Sequence, residues 1–337
     1  MKISRLVKLA GECGGYRFAR FLTARNPRIL MYHRFSKEPK PGYVDAKAFE
    51  WQVRHIAQHY NAITVSGLAE EIFSRGVVSK NSIAITVDDG YRDFYNVAWP
   101  ILKKYGIPAT FYVTTGFVSG DLWLWPDQLR YLLERSPNTP GTYDLGLLKV
   151  QTPILEADFE SEYWRINQLM LRAENSDKLD CLRAMENAWS IMLPLRPPKE
   201  FEAVTWQELQ EMQQSGVEVG GHTVTHPSLA QVSLMEAESE IVGSSEDLEK
   251  HLGKSVRSFC YPNGTPDDFV GEQVEAVKKA GFMCAAVAFS DSKEHAQRYA
   301  MRRHSVSADQ FQFLKAVSGV ELLGLKWRGR VLETPYG

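Results

Sequence analysis

The sequence predicts an α/β fold built on a parallel sheet, open or closed into a barrel. Three observations carry that reading. Short runs rich in β-branched and aromatic residues alternate with helical patterns along most of the chain. The run Ser82–Val87 (SIAITV) is almost continuously apolar, as a strand covered on both faces must be. The 337 residues, 44% hydrophobic and 24% charged, suffice for one large domain or two ordinary ones and exclude wholesale disorder.

The elements follow in order. RILMYHRF (28–35) is the first strand, and AFEWQVRHIAQHY is the helix after it. AITV comes next, then a helix that Ser66 would cap, with Glu70 and Glu71 in its early turns. Residues 91–105 are helical in pattern, although Pro100 lacks an N–H and should kink or interrupt them. ATFYVTT is a strand. Thr205 opens a helix that closes at Gly216, VEVGG follows, and residues 233–252 form a long helix. VRSFCY, the helix EQVEAVKKAG and FMCAAVAF continue the alternation, and SADQFQFLKAV, capped by Ser307, ends it. Residues 120–203 break the rhythm with Trp, Pro, Leu and charge, and read as a helical insertion over one mouth of the sheet. Its tryptophans, Trp123, Trp125, Trp164 and Trp189, have the rings that stack on sugars, although core packing is the commoner use of such rings.

Charge and cysteine content narrow the function. A net charge of −2 gives no argument for nucleic-acid binding. Cys13, Cys181, Cys260 and Cys284 lie far apart with no C-x-x-C pair, so they read as free thiols in a reducing, cytoplasmic setting. Residues 1–34 hold eight basic residues against one acid, Glu12. That arm has no apolar run of signal-peptide length, and Gly11, Gly14 and Gly15 weaken any long helix in it. It reads as a solvated arm, or as a segment through which residues 1–28 touch the anionic inner face of a membrane.

The chemistry concentrates in two places. Ser82–Val87 runs into Asp88-Asp89-Gly90, two carboxylates at the strand end where parallel α/β folds build their sites. Such a pair is costly there unless a cation or hydrogen bonds compensate it. The second is Gly220-Gly221-His222-Thr223-Val224-Thr225-His226-Pro227, after another strand-like run. Its histidines are four apart and share a face if the segment makes one helical turn. Together the clusters offer two His and one carboxylate to a metal, with the second carboxylate free to act as a base.

TVDDG, H-T-V-T-H-P and F-C-Y-P-N-G, in this order, resemble the first three motifs of the NodB-homology polysaccharide deacetylases of carbohydrate esterase family 4. The run GIPATFYVTTGFV is similar too, and the resemblance covers residues 28–118 and 203–306. It implies a distorted (β/α)7 barrel over residues 28–318, interrupted by the 120–203 insertion, preceded by the arm 1–27 and followed by a tail, 319–337. It implies removal of N-acetyl groups from amino sugars of a polysaccharide, glycan precursor or lipid-linked sugar. Asp89, His222 and His226 would hold one divalent metal, Zn first and Co or Ni next. Asp88 would be the base, and Tyr261, Pro262, Asn263 and Arg303 would contact substrate or oxyanion. A formyl group in place of acetyl suits the same residues. A non-catalytic carbohydrate-binding barrel is the reading from another class. Asp88 argues against it, because metal binding needs only Asp89 and the histidines.

The sequence departs from the family's pattern in three ways. Cys260 stands where the third motif has arginine, a role that Arg302 or Arg303 could fill, and Asn263 stands for tyrosine. Of the Asp-rich fourth motif only Asp291 is a candidate. The late histidine motif is missing. Met31-Tyr32-His33 resembles the opening strand of relatives whose N-terminal histidine supplies the acid, which makes His33 the expected general acid and His304 the runner-up. His55, His59, His251 and His295 read as surface residues.

Overall fold

The structure is a computed structural model and describes residues 11–291 and 297–329. Eight parallel strands form its sheet: β1 (Arg28–Tyr32), β2 (Asn61–Ala62), β3 (Ser82–Val87), β4 (Thr110–Val113), β5 (Glu218–Gly221), β6 (Ser258–Cys260), β7 (Cys284–Ala286) and β8 (His304–Ser305). The order is β7-β6-β5-β4-β3-β1-β8. β3 pairs with β1 along most of its length, while its other edge is shared by β2 at the start and β4 at the end. Every residue of β1 and β3 is buried, which explains their continuous apolar character.

The sheet curls until one segment touches both edges. Met301 bridges to Ala286 on β7, and shortly after it His304 and Ser305 pair with Leu30 and Met31 on β1. Seven strands thus make the barrel-like circuit that the sequence leads one to expect, with β2 as a short extra.

Local rules account for the helices, with some corrections. The Asp45 carboxylate accepts from Lys47 and Ala48 N–H to start Ala46–His59, which turns Phe49, Gln52, Val53 and Ile56 inward at helical spacing. Thr64, not Ser66, caps the next helix, Val65–Ala69, because Thr64 holds the extended backbone that an N-cap needs. Glu70 and Glu71 fall in the wide turn after it, Glu70–Ser74. Asp309 caps Gln310–Ser318 in place of Ser307. Around Pro100 the expected helix divides into a wide turn, Phe94–Ala98, and a helix, Trp99–Tyr105, with the proline in its first turn. Thr205 and Glu208 form a reciprocal capping box for Trp206–Gln214.

The insertion has its own apolar core, in which Leu129, Leu132, Val150, Ile166, Met170 and Met185 meet. It holds three helices, Trp125–Leu133, Phe159–Leu171 and Asn175–Trp189. It also holds an antiparallel hairpin, Gly141–Asp144 with Lys149–Thr152, that a helical reading of the sequence overlooks. The described part of the N-terminal arm is structured as well. Helix Tyr16–Leu22 packs on Gln310–Ser318 and on Val320–Trp327, so arm and tail cover one another. Among the described residues no helix is long and apolar enough to cross a membrane. His55 is not a surface residue: it is wedged among Trp51, His59 and Phe313. His251 is half-buried and stacks on Trp206. His295 lies outside the described residues.

Candidate active site

β3 delivers both carboxylates to one mouth of the barrel. The Asp88 N–H still donates to the Tyr32 carbonyl (3.1 Å), so it continues the ladder. Asp89 and Gly90 then take φ of 80° and 106°. Two successive residues of positive φ reverse the chain and send neighbouring side chains apart: Asp88 meets Arg303, Asp89 meets the histidines. Glycine takes such a φ freely. At Asp89 it costs about 1–3 kcal/mol, strain of a kind that clusters at functional sites.

His222 follows β5, where a Cβ on Gly220 would fall 2.5 Å from the Tyr112 ring and 2.8 Å from the Ser258 carbonyl. The segment from His222 to His226 is not the helical turn that the spacing allows. Thr223 and His226 have φ of 64° and 63°, and Glu240 gathers the loop by accepting from the Val224 and Thr225 N–H groups, both at 2.8 Å. The two Nε2 atoms converge on Asp89 Oδ1, at 3.5 Å from His222 and 3.4 Å from His226. The His222 Nδ1 lies 2.7 Å from the Cys260 carbonyl, which fixes the tautomer and leaves Nε2 to the cleft.

The three residues fit a divalent ion. Donors about 2.1 Å from a tetrahedral ion lie about 3.4 Å apart, close to the separations seen. Burial pushes the Asp89 carboxyl up, but His222 and His226 outweigh it and hold the group well below the usual carboxylate range. Asp88, His222 and Cys260 form a second group of close donors. The Arg303 cation lies on both Asp88 oxygens and against Cys260, so that position repels an ion.

Arg303 fills the place of the missing third-motif arginine. It donates to Asp88 Oδ1 at 2.7 Å and to Oδ2 at 2.8 Å, a bidentate pair. Its remaining N–H groups reach Thr86 Oγ1 (3.0 Å), the Val287 carbonyl (2.9 Å) and the Cys260 sulfur (3.0 Å). All five donors are therefore engaged within the protein, while the residue still borders the cleft. Burial alone would raise the Asp88 pKa, and Arg303 brings it below the ordinary value. Burial also pushes the Cys260 thiol up, so it stays neutral beside the guanidinium. Arg302 turns the other way and pairs with Asp291 at 3.3 Å.

Of the third-motif residues, Pro262 has no N–H, and Tyr261 donates its own to Ala286 (3.3 Å) and its hydroxyl to Tyr299 (3.1 Å). Asn263 is the remaining main-chain donor. His33 sits at the same mouth, half-exposed, with Nε2 3.7 Å from Asp88 Oδ2. His304 faces away, toward Glu321 at 3.5 Å.

One cluster escapes the sequence reading. Arg34 pairs with Asp93 (2.7 Å) and Asp127 (3.6 Å), and its guanidinium lies 3.7 Å over the Tyr91 ring. The Tyr91 hydroxyl donates to Asp127 at 2.6 Å. Burial pushes the Asp127 carboxyl up to about 7. The group pins the insertion, through Asp127, to the barrel mouth. The proline and acid of W-P-D-Q-L mark a helix start, but nothing in the sequence points from Asp127 to Arg34.

His33, Arg34, Asp88, Asp89, Asp127, His222, His226, Asn263 and Arg303 border one cleft of about 600 Å³, within the usual range for small-molecule sites. A sequence profile of the family described as polysaccharide deacetylase matches residues 75–138 and 181–285. Over 92 residues the chain is 35% identical to the poly-beta-1,6-N-acetyl-D-glucosamine N-deacetylase of Staphylococcus aureus, covering 27% of this chain and 31% of that one. The match thus spans about a third of the relative's length. The fold is similar to that of the Streptococcus pyogenes deacetylase PplD solved in complex with acetate, with TM-score 0.57, 18% identity and coverage of 87% of this chain and 98% of that one. It is equally similar to IcaB from Ammonifex degensii, with TM-score 0.58, 17% identity and coverage of 87% and 97%. At such identities the likeness concerns the fold.

Proposed function

The chain belongs to the polysaccharide deacetylase family, and from that membership we propose that it is a hydrolase that removes N-acetyl groups from amino-sugar residues of a glycan. One observation carries the reading: Asp88, held by Arg303, stands in one cleft with the converging Asp89, His222 and His226. Those three residues would hold a divalent ion, Zn before Co or Ni, which would polarise the acetyl carbonyl and acidify a water. Asp88 takes the proton of the attacking water, and Arg303 keeps its carboxylate aimed. The Asn263 N–H faces the developing oxyanion. The name of the Staphylococcus aureus relative favours N-acetylglucosamine units as substrate. The test is release of acetate and of formate from N-acetylglucosamine oligomers. Acetate release that a chelator abolishes and Zn restores is expected; formate instead of acetate would change the acyl group, and neither product would end the reading.

His33 is the proposed general acid, because it reaches the same mouth as Asp88 from the strand that opens the barrel. A leaving amine must gain a proton as the C–N bond breaks. His33→Ala is expected to lower turnover of amides about 10²-fold or more and to spare an aryl ester, whose leaving group needs little protonation. Equal losses on both substrates would assign His33 to positioning alone.

The packed chain ends suggest where the enzyme works. Phe18, Phe21 and Leu22 share one exposed face of Tyr16–Leu22, and Trp327 is exposed on the neighbouring helix. Arg17 and Arg328 are exposed on the same two chain ends. We propose that this basic-aromatic surface rests on the anionic inner face of a membrane. The four free cysteines suit that compartment. Cosedimentation with phosphatidylserine vesicles should exceed that with phosphatidylcholine, fall as salt rises, and weaken in Phe18→Ser/Phe21→Ser. Indifference to lipid charge would remove the proposal.

A further inference from the structure

The insertion turns one helix face toward the cleft. Trp164, Asn167, Gln168 and Leu171 of Phe159–Leu171 border it, three or four residues apart, and so form a single stripe. Tyr163, Ile166 and Met170 point into the insertion's core. The stripe opens onto the same space as His33, Asp88 and the proposed metal ligands.

Trp164 and Asn167 stand out within the stripe. Trp123, Trp125 and Trp189 are buried, whereas Trp164 is 51% exposed at the cleft. Asn167 is only 5% exposed and borders the cleft one turn from Trp164. The helix is also fixed in place. Arg130 makes a bidentate pair with Glu160 (2.9 and 3.1 Å) and lies 4.1 Å over the Tyr163 ring.

We infer that this stripe is a saccharide subsite, which binds a pyranose unit of the glycan beyond the one being deacetylated. The indole of Trp164 takes the apolar C–H face of the sugar, and the Asn167 and Gln168 amides take its hydroxyl or acetamido groups. An aromatic, two amides and an aliphatic along one helix face match a ring that is apolar on its faces and polar at its edge. The inference rests on the deacetylase reading and adds to it a requirement for chain length.

The test compares wild type, Trp164→Ala, Trp164→Phe and Gln168→Ala on N-acetylglucosamine oligomers of one to six units and on a small aryl acetate. In Trp164→Ala the ratio of kcat/KM for the hexamer to that for the aryl acetate should fall about 10-fold, the factor that loss of ~1.4 kcal/mol of binding produces. The loss should appear in KM. Trp164→Phe should recover most of it, and Gln168→Ala should show a smaller loss. Calorimetric titration of the unreacted hexamer into each protein reads binding apart from turnover. A wild type that releases acetate with no dependence on length, or a Trp164→Ala ratio equal to wild type, overturns the subsite alone. Hexamer binding that needs Trp164 in a protein with no hydrolytic activity keeps the subsite and ends the deacetylase reading. Neither binding nor turnover ends both.

Discussion

Asp88→Asn is expected to lower turnover about 10²–10⁴-fold, the usual cost of removing a general base, while metal uptake stays at one ion per chain. The expectation follows from the divergence of the two carboxylates. Asp89 meets His222 and His226, and Asp88 turns to Arg303. An amide at position 88 therefore leaves the three metal donors as they are. It keeps the shape of the side chain and can still accept from Arg303, but it cannot take a proton from water. Elemental analysis and acetate release on one preparation decide the matter. Full metal with a rate within a few-fold of wild type would return Asp88 to a structural role.

Arg303→Met is expected to have the largest effect on stability. It leaves the Asp88 carboxylate buried without its cation, and breaking a buried pair from one side costs about 3–5 kcal/mol. For a chain of this size that corresponds to a fall in Tm of about 4–7 °C. The double variant Asp88→Asn/Arg303→Met removes both charges and should regain much of the loss. Thermal unfolding of the single and double variants measures the coupling. Equal Tm values for Arg303→Met and the double variant would show that packing of the long side chain, not the charge pair, sets the cost.

The parts legible in the sequence were those fixed by short-range pattern. Ser82–Val87 had to be a doubly covered strand, and the Asp and His pairs stood at strand ends, where side chains point into the barrel mouth. The histidine spacing allows a helical turn, but the structure uses none: Thr223 and His226 at positive φ, gathered by Glu240, bring the rings together. The sequence does not separate Arg302 from Arg303 as the partner of Asp88, because only the register of the segment between β7 and β8 decides which neighbour points inward. The Arg34–Asp93–Asp127 cluster was illegible, since its members come from a strand end, a wide turn and the insertion, and only the fold makes them neighbours. Trp164 is one of four tryptophans that look alike in the sequence, and exposure alone separates it from the other three.

The segment that touches both sheet edges also carries Arg303, the partner of Asp88, and the two lie 215 positions apart. Most of the chain must be synthesised before Asp88 can be neutralised, and the charge pair forms only as the last strand docks beside the first. Until then Asp88 lacks its cation. Competence is therefore expected to come late in refolding, coupled to circularisation of the sheet rather than to formation of its separate βα units. In refolding experiments, recovered hydrolysis should lag behind recovered far-ultraviolet ellipticity, and a chain ended before residue 303 should acquire helices and strands without acquiring a working base.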